Sequence, residues 1–147
     1  MEELTELRHY IESGKYQDAL GLLGEMEDMS RDDKINRISS FMEVLLLHLI
    51  KQTSEQRTTR SWDVTIRNAL RQIVRINKRR KAGGWYLTSE DLRAALLDSY
   101  EPALDAASLE VLGGKHSGEE IDAMIRKAEI VEAAFAKIMQ QSEAELQ

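Results

Sequence analysis

The stretch from Ile35 to Ile50, INRISSFMEVLLLHLI, constrains the fold more than any other part of the chain. Ile35, Ile38, Met42, Leu45 and Leu49 recur at alternating steps of three and four, the spacing of one helix face. Val44, Leu46, Leu47 and Ile50 fill the remaining faces, so a helix here is apolar nearly all round and has to be surrounded by protein. The run is interrupted by Glu43 and His48 and is too short to span a bilayer, so no membrane is expected as a partner. One proline in 147 residues, with few β-branched clusters, leaves little punctuation for strands. These features predict an all-α protein: one domain over 1–147, a bundle of about five to seven helices around the central one, with a long last helix.

Around that centre the elements follow from periodicity and caps. Residues 1–29 read as a helical hairpin, with Leu4, Leu7, Tyr10 and Ile11 on the first helix and a stop at Ser13-Gly14. The second helix, 15–28, points Tyr16, Ala19, Leu20, Leu22, Leu23 and Met26 inward. The segment YIESGKYQDALGLL is similar to one tetratricopeptide unit, but no copy recurs about 34 residues later. Ser30 and Asp33 predict the start of the central helix, which runs to about Gln52. Thr53–Thr59 is a polar linker. Ser61 is the expected cap of a helix over 61–80 that Gly83-Gly84 ends. Thr88 and Asp91 open another helix with Leu92, Leu96 and Leu97 inward, which Pro102 kinks or divides before Gly113-Gly114. Residues 30–114 form the core of this reading. Ser117 and Glu120 match a capping box for a final helix over 117–147, long enough to pair with a second copy. Its stripe is Ile121, Met124, Ile125, Ala128, Val131, Phe135 and Ile138.

Charge is distributed unevenly. The chain carries −6 overall, yet between Lys51 and Lys81 ten Lys/Arg face only Glu55 and Asp63, a local +8 against −14 elsewhere. On the 61–80 helix, Trp62, Ile66, Ala69, Leu70, Ile73 and Ile76 share one side. Arg67, Arg71, Arg75 and Lys78 form a stripe nearly opposite, joined by Arg60 if the helix reaches back to it. Arg79, Arg80 and Lys81 continue the charge toward Trp85 and Tyr86, which are expected as exposed aromatic contacts. Trp62 is expected to anchor its helix to the core, with stacking on a base or an arginine as the alternative. The stripe and this corner are the candidate partner- or polyanion-binding surface. It fits an acidic protein surface, including the chain's own acidic remainder, within the molecule or across a homo-oligomer. The second reading is non-specific nucleic-acid binding, since such a stripe positions a backbone and carries no base readout. The acidic total favours protein over nucleic acid.

No chemistry-bearing motif accompanies this surface. There is no cysteine, which excludes disulfides and thiolate metal sites and fits a reducing cytoplasm. Asp32-Asp33, Glu90-Asp91 and Glu119-Glu120 fall in first turns of helices, where carboxylates favour the dipole. No nucleophile elbow, phosphate loop, dinucleotide fingerprint or zinc spacing is present. The expectation is a non-enzyme with no catalytic residues, no metal and no cofactor. His9 and His116 lack ligand spacing. His48 reads as a buried or semi-buried histidine donating to a carbonyl or carboxylate, and a metal-dependent enzyme centred on it is the remote alternative.

The middle of the chain resembles a known family. EVLLLHLIK, a short linker and RSWDVTIR carry the similarity through Glu43, Leu46, His48, Leu49, Lys51, Arg60, Ser61, Trp62, Ile66 and Arg67. The family is the domain of unknown function twenty-nine, bacterial and abundant in cyanobacteria, and the resemblance runs from about Leu23 to Gly114. It implies an all-helical fold without an established activity, with Glu43, His48 and Trp62 as structural positions. The chain departs from the family's pattern in lacking an aromatic-rich start and in having Gln52-Thr53 where a Trp usually follows the lysine.

Overall fold

The computed structural model describes residues 2–79 and 83–146. They form six α-helices and one 3-10 turn: α1 Glu2–Glu12, α2 Tyr16–Glu55, α3 Arg60–Asn77, α4 Ser89–Ser108, the turn Val111–Gly114, α5 Gly118–Met124 and α6 Lys127–Glu145. Among the described residues there is no strand, only an isolated antiparallel bridge between Lys78 and Trp85. The protein is an all-α helical bundle. The chain divides into two compact units, one up to Asn36 and the other from Arg37.

In the first unit, α1 stops as expected at Gly14. Its φ of +75° suits a residue without Cβ. Lys15 N–H donates to the Tyr10 carbonyl at 2.8 Å and Gly14 N–H to that of Ile11 at 3.1 Å, the paired bonds that close a helix on a left-handed residue. α2 then starts at Tyr16 and does not stop near residue 28. The expected break at Ser30 is absent, because from Glu25 to Glu55 there is neither glycine nor proline. A serine inside a helix costs only a fraction of a kcal/mol, about 0.5, which continuing the hydrogen-bond ladder outweighs.

The second unit holds the core. From Ile38 onward α2 buries Ile38, Met42, Leu45, Leu46, Leu49 and Ile50. The helix extends to Glu55, beyond the expected linker, and Gln56 ends it at φ +52° with Arg57 N–H reaching back to the Gln52 carbonyl. α3 is capped by Thr59, whose hydroxyl accepts from Trp62 N–H at 3.1 Å, and Ser61 lies within the helix. It ends at Asn77, so Gly83-Gly84 belong to the following turn rather than to a helix stop. α4 opens on a complete capping box between Thr88 and Asp91 and runs unbroken through Pro102. The hydrogen bond lost at the proline is outweighed by Ala103, Leu104 and Ala107 buried beyond it.

The expected single C-terminal helix is two. Ser117 and Glu120 form the capping box of α5, but Ile125 and Arg126 are extended (φ −126°, ψ 172° and φ −115°, ψ 108°). The break lets Ile121 and Ile125 be buried on one course and Ile130, Val131, Ala134 and Ile138 on another, while Met124 turns out to solvent. α6 packs on α3 and α4, with Ile130, Val131, Ala134 and Ile138 buried.

Candidate functional site

The basic stripe begins with the geometry of α3. Ile66, Ala69, Leu70, Ile73, Val74 and Ile76 are buried, which fixes the opposite side of the helix toward solvent. Arg60, now the first helical residue, and Arg67, Arg71 and Arg75 are all exposed there. At 100° per residue these four and Val64 fall within an arc of about 80°, along about 22 Å of helix. Val64 is 47% exposed among them. Lys78 follows at the C-cap, also exposed. Among the described residues of the second unit no carboxylate forms an ion pair with any of these five cations. The stripe is therefore not neutralised within that unit.

The corner beyond α3 is less open than its sequence implies. Arg79 N–H donates to the Gly84 carbonyl at 3.0 Å and Tyr86 N–H to that of Asn77 at 2.9 Å, folding the turn back on the helix end. Trp85 and Tyr86, expected as exposed contacts, are half-buried. Trp85 lines a cleft of about 190 Å³ with Leu87, Leu92 and Met139, because the turn returns its ring to the apolar side. Tyr86 lies beneath the Arg79 guanidinium, 5.8 Å from ring centroid to carbon. Arg80 and Lys81 lie outside the described residues. Asn77 organises the corner and was not foreseen: its side chain accepts from Leu87 N–H at 2.8 Å and faces the Leu87 carbonyl at 3.5 Å. The available signal was a polar residue four positions after Ile73, on the apolar face.

Trp62, expected as a core anchor, is half-buried at the start of α3. Its ring lies 4.7 Å from the Arg57 guanidinium and 5.5 Å from Lys51 Nζ. Lys51 is 8% exposed and pairs with Glu110 at 3.2 Å. Together these join the end of α2 and the start of α3 to the segment before the 3-10 turn. Lys51→Ala is expected to cost about 1–2 kcal/mol in urea unfolding, while Lys51→Met, which keeps the packed stem, recovers most of that loss.

Glu55 completes the junction. It accepts from Arg57 Nε at 2.8 Å and from Leu112 N–H at 3.2 Å, where Leu112 has a φ of +50°. The Arg57 bond first, and then the Leu112 amide, hold its carboxyl below the usual value of 4.5. A depressed folded-state value contributes stability above the unfolded value, and that contribution is lost as pH falls through the folded one. Thermal melts from pH 7 to pH 3 should therefore fall less steeply below pH 4.5 for Glu55→Gln than for wild type.

His48 is half-buried, and its Nδ1 lies 2.8 Å from the Val44 carbonyl. The oxygen only accepts, so Nδ1 carries the proton. Glu43 is also half-buried on α2. Among the described residues no three His, Asp or Glu side chains come together as metal ligands. No helix among them is long and apolar enough to cross a membrane.

Comparison with known proteins adds one finding. The family model described as "Domain of unknown function DUF29" matches residues 12–117, which include both the Lys51–Trp62 junction and the whole of α3. Comparisons with curated proteins and with solved structures give no match. With most of its length matched, the chain belongs to the DUF29 domain family.

Proposed function

We propose that this is a non-catalytic bacterial cytoplasmic protein whose α3 stripe docks an acidic, partly apolar protein surface. The observation that carries this reading is Val64, half-exposed in the middle of Arg60, Arg67, Arg71 and Arg75. Arginines with exposed aliphatic stems around a valine offer both charge and apolar area, which a carboxylate-bearing amphipathic helix can use at once. A phosphate backbone would use only the charge. The second reading, non-specific nucleic-acid binding, draws on the same cations and on Lys78 and Arg79 next to them.

Fluorescence anisotropy on one labelled amphipathic Glu/Leu peptide and one DNA duplex, at equal ionic strength, separates the two. Arg67→Glu/Arg71→Glu/Arg75→Glu should weaken peptide binding at least about tenfold. Val64→Ser should weaken peptide binding severalfold and leave any duplex binding unchanged. Duplex binding lost in the triple variant, with no peptide binding by wild type, would transfer the surface to nucleic acid.

A further inference from the structure

The first unit carries a surface that its own fold leaves open. Among its described residues the one buried side chain is Ala19. Leu4 and Ile11 on α1 are 48% and 49% exposed, and Tyr16, Leu20 and Leu23 on α2 are 64%, 62% and 37% exposed. α1 has only 11 residues, too short to hold a helix in water by propensity alone. A helical pair with so little buried area gains little from folding unless something covers it.

Its charge indicates what covers it. Residues 2–36 hold ten Asp/Glu against Arg8, Lys15, Arg31 and Lys34, a net of −6. At 100° per residue Tyr16, Leu20, Leu23 and Glu27 share an arc of about 60° on α2. Glu3 and Glu12 are exposed on α1, which presents Leu4 and Ile11. Two such acidic faces repel each other, which disfavours pairing of like with like. The complementary surface on this chain is the α3 stripe, with four arginines around the exposed Val64.

We infer that the acidic, apolar face of α1 and the start of α2 docks on the α3 stripe of a second copy of the chain. Leu20, Leu23 and Tyr16 then cover Val64 and the arginine stems, and Glu27, Glu12 and Glu3 pair with the guanidinium groups. The inference rests on reading the stripe as a surface for an acidic protein partner, and names that partner.

Light scattering coupled to size-exclusion chromatography on the full chain tests it, with circular dichroism confirming that each variant stays helical. Wild type should be a dimer or larger. Glu3→Lys/Glu12→Lys/Glu27→Lys and Arg67→Glu/Arg71→Glu/Arg75→Glu should each raise the dissociation constant at least about tenfold and elute as monomers. Mixing the two variants should restore the assembly, because each then offers the other an oppositely charged surface. A monomeric wild type, or a mixture that stays monomeric, overturns the inference. Dissociation by the arginine changes alone overturns it too, and leaves the stripe as an assembly surface for a different acidic part of the chain. An oligomer indifferent to both sets also overturns it, and the peptide measurement then decides the stripe by itself.

Discussion

Ile73→Ala is expected to lower the unfolding free energy by about 2–5 kcal/mol, whereas Arg71→Gln, two residues away, should leave it unchanged or raise it by a few tenths. Ile73 is fully buried on the inner face of α3, so its truncation loses transfer free energy and leaves a cavity. Arg71 has no carboxylate partner among the described residues of its unit. Arg67 and Arg75 stand four residues before and after it, the spacing at which like charges repel on a helix. Removing its charge relieves two such repulsions. Urea unfolding of both variants checks the contrast. If Arg71→Gln instead costs more than about 1 kcal/mol, the arginine has a partner in the folded chain, and the stripe is part of the fold rather than a surface for another molecule.

That contrast also explains why the stripe was legible in the sequence. The inner face of α3 repeats at helical spacing, so the residues left over are fixed on the outside without any tertiary information. The capping boxes at Thr88 and Ser117 were legible for a similar reason, since each closes within four residues. Thr58, Thr59 and Ser61 can all cap, and only longer-range bonds separate them. Thr58 donates to Asp63 and accepts from Gln52, which leaves Thr59 as the cap. The extended pair Ile125-Arg126 has no local signal, because neither residue is a glycine or proline and the break is set by what Ile121 and Ile130 bury against. The absent stop at Ser30 is the converse case, a permissible cap that a longer helix overrides. Trp85 is half-buried rather than exposed because its position depends on bonds across the turn, Arg79 N–H to the Gly84 carbonyl and the Asn77 side chain to Leu87, which no local spacing announces.

Asn77→Ala should therefore cost about 2–4 kcal/mol, far more than a substitution at a helix end ordinarily does. Asn77 is 3% exposed and Leu87 5%, so neither the Leu87 N–H nor its carbonyl finds water easily once the amide is gone. Alanine satisfies neither group and also leaves a void. Asn77→Asp keeps an acceptor for the Leu87 N–H but buries a charge facing a carbonyl, and should fare no better. In a Trp62→Phe background the emission of Trp85 should move to longer wavelength in Asn77→Ala, since the buried bond to Leu87 that helps close its turn has been removed. Peptide binding should fall by less than about threefold, because Arg60, Arg67, Arg71 and Arg75 are held by α3 and not by the turn. A larger loss would assign Lys78 and Arg79, which the turn does position, a greater share of the docking surface than the helix itself.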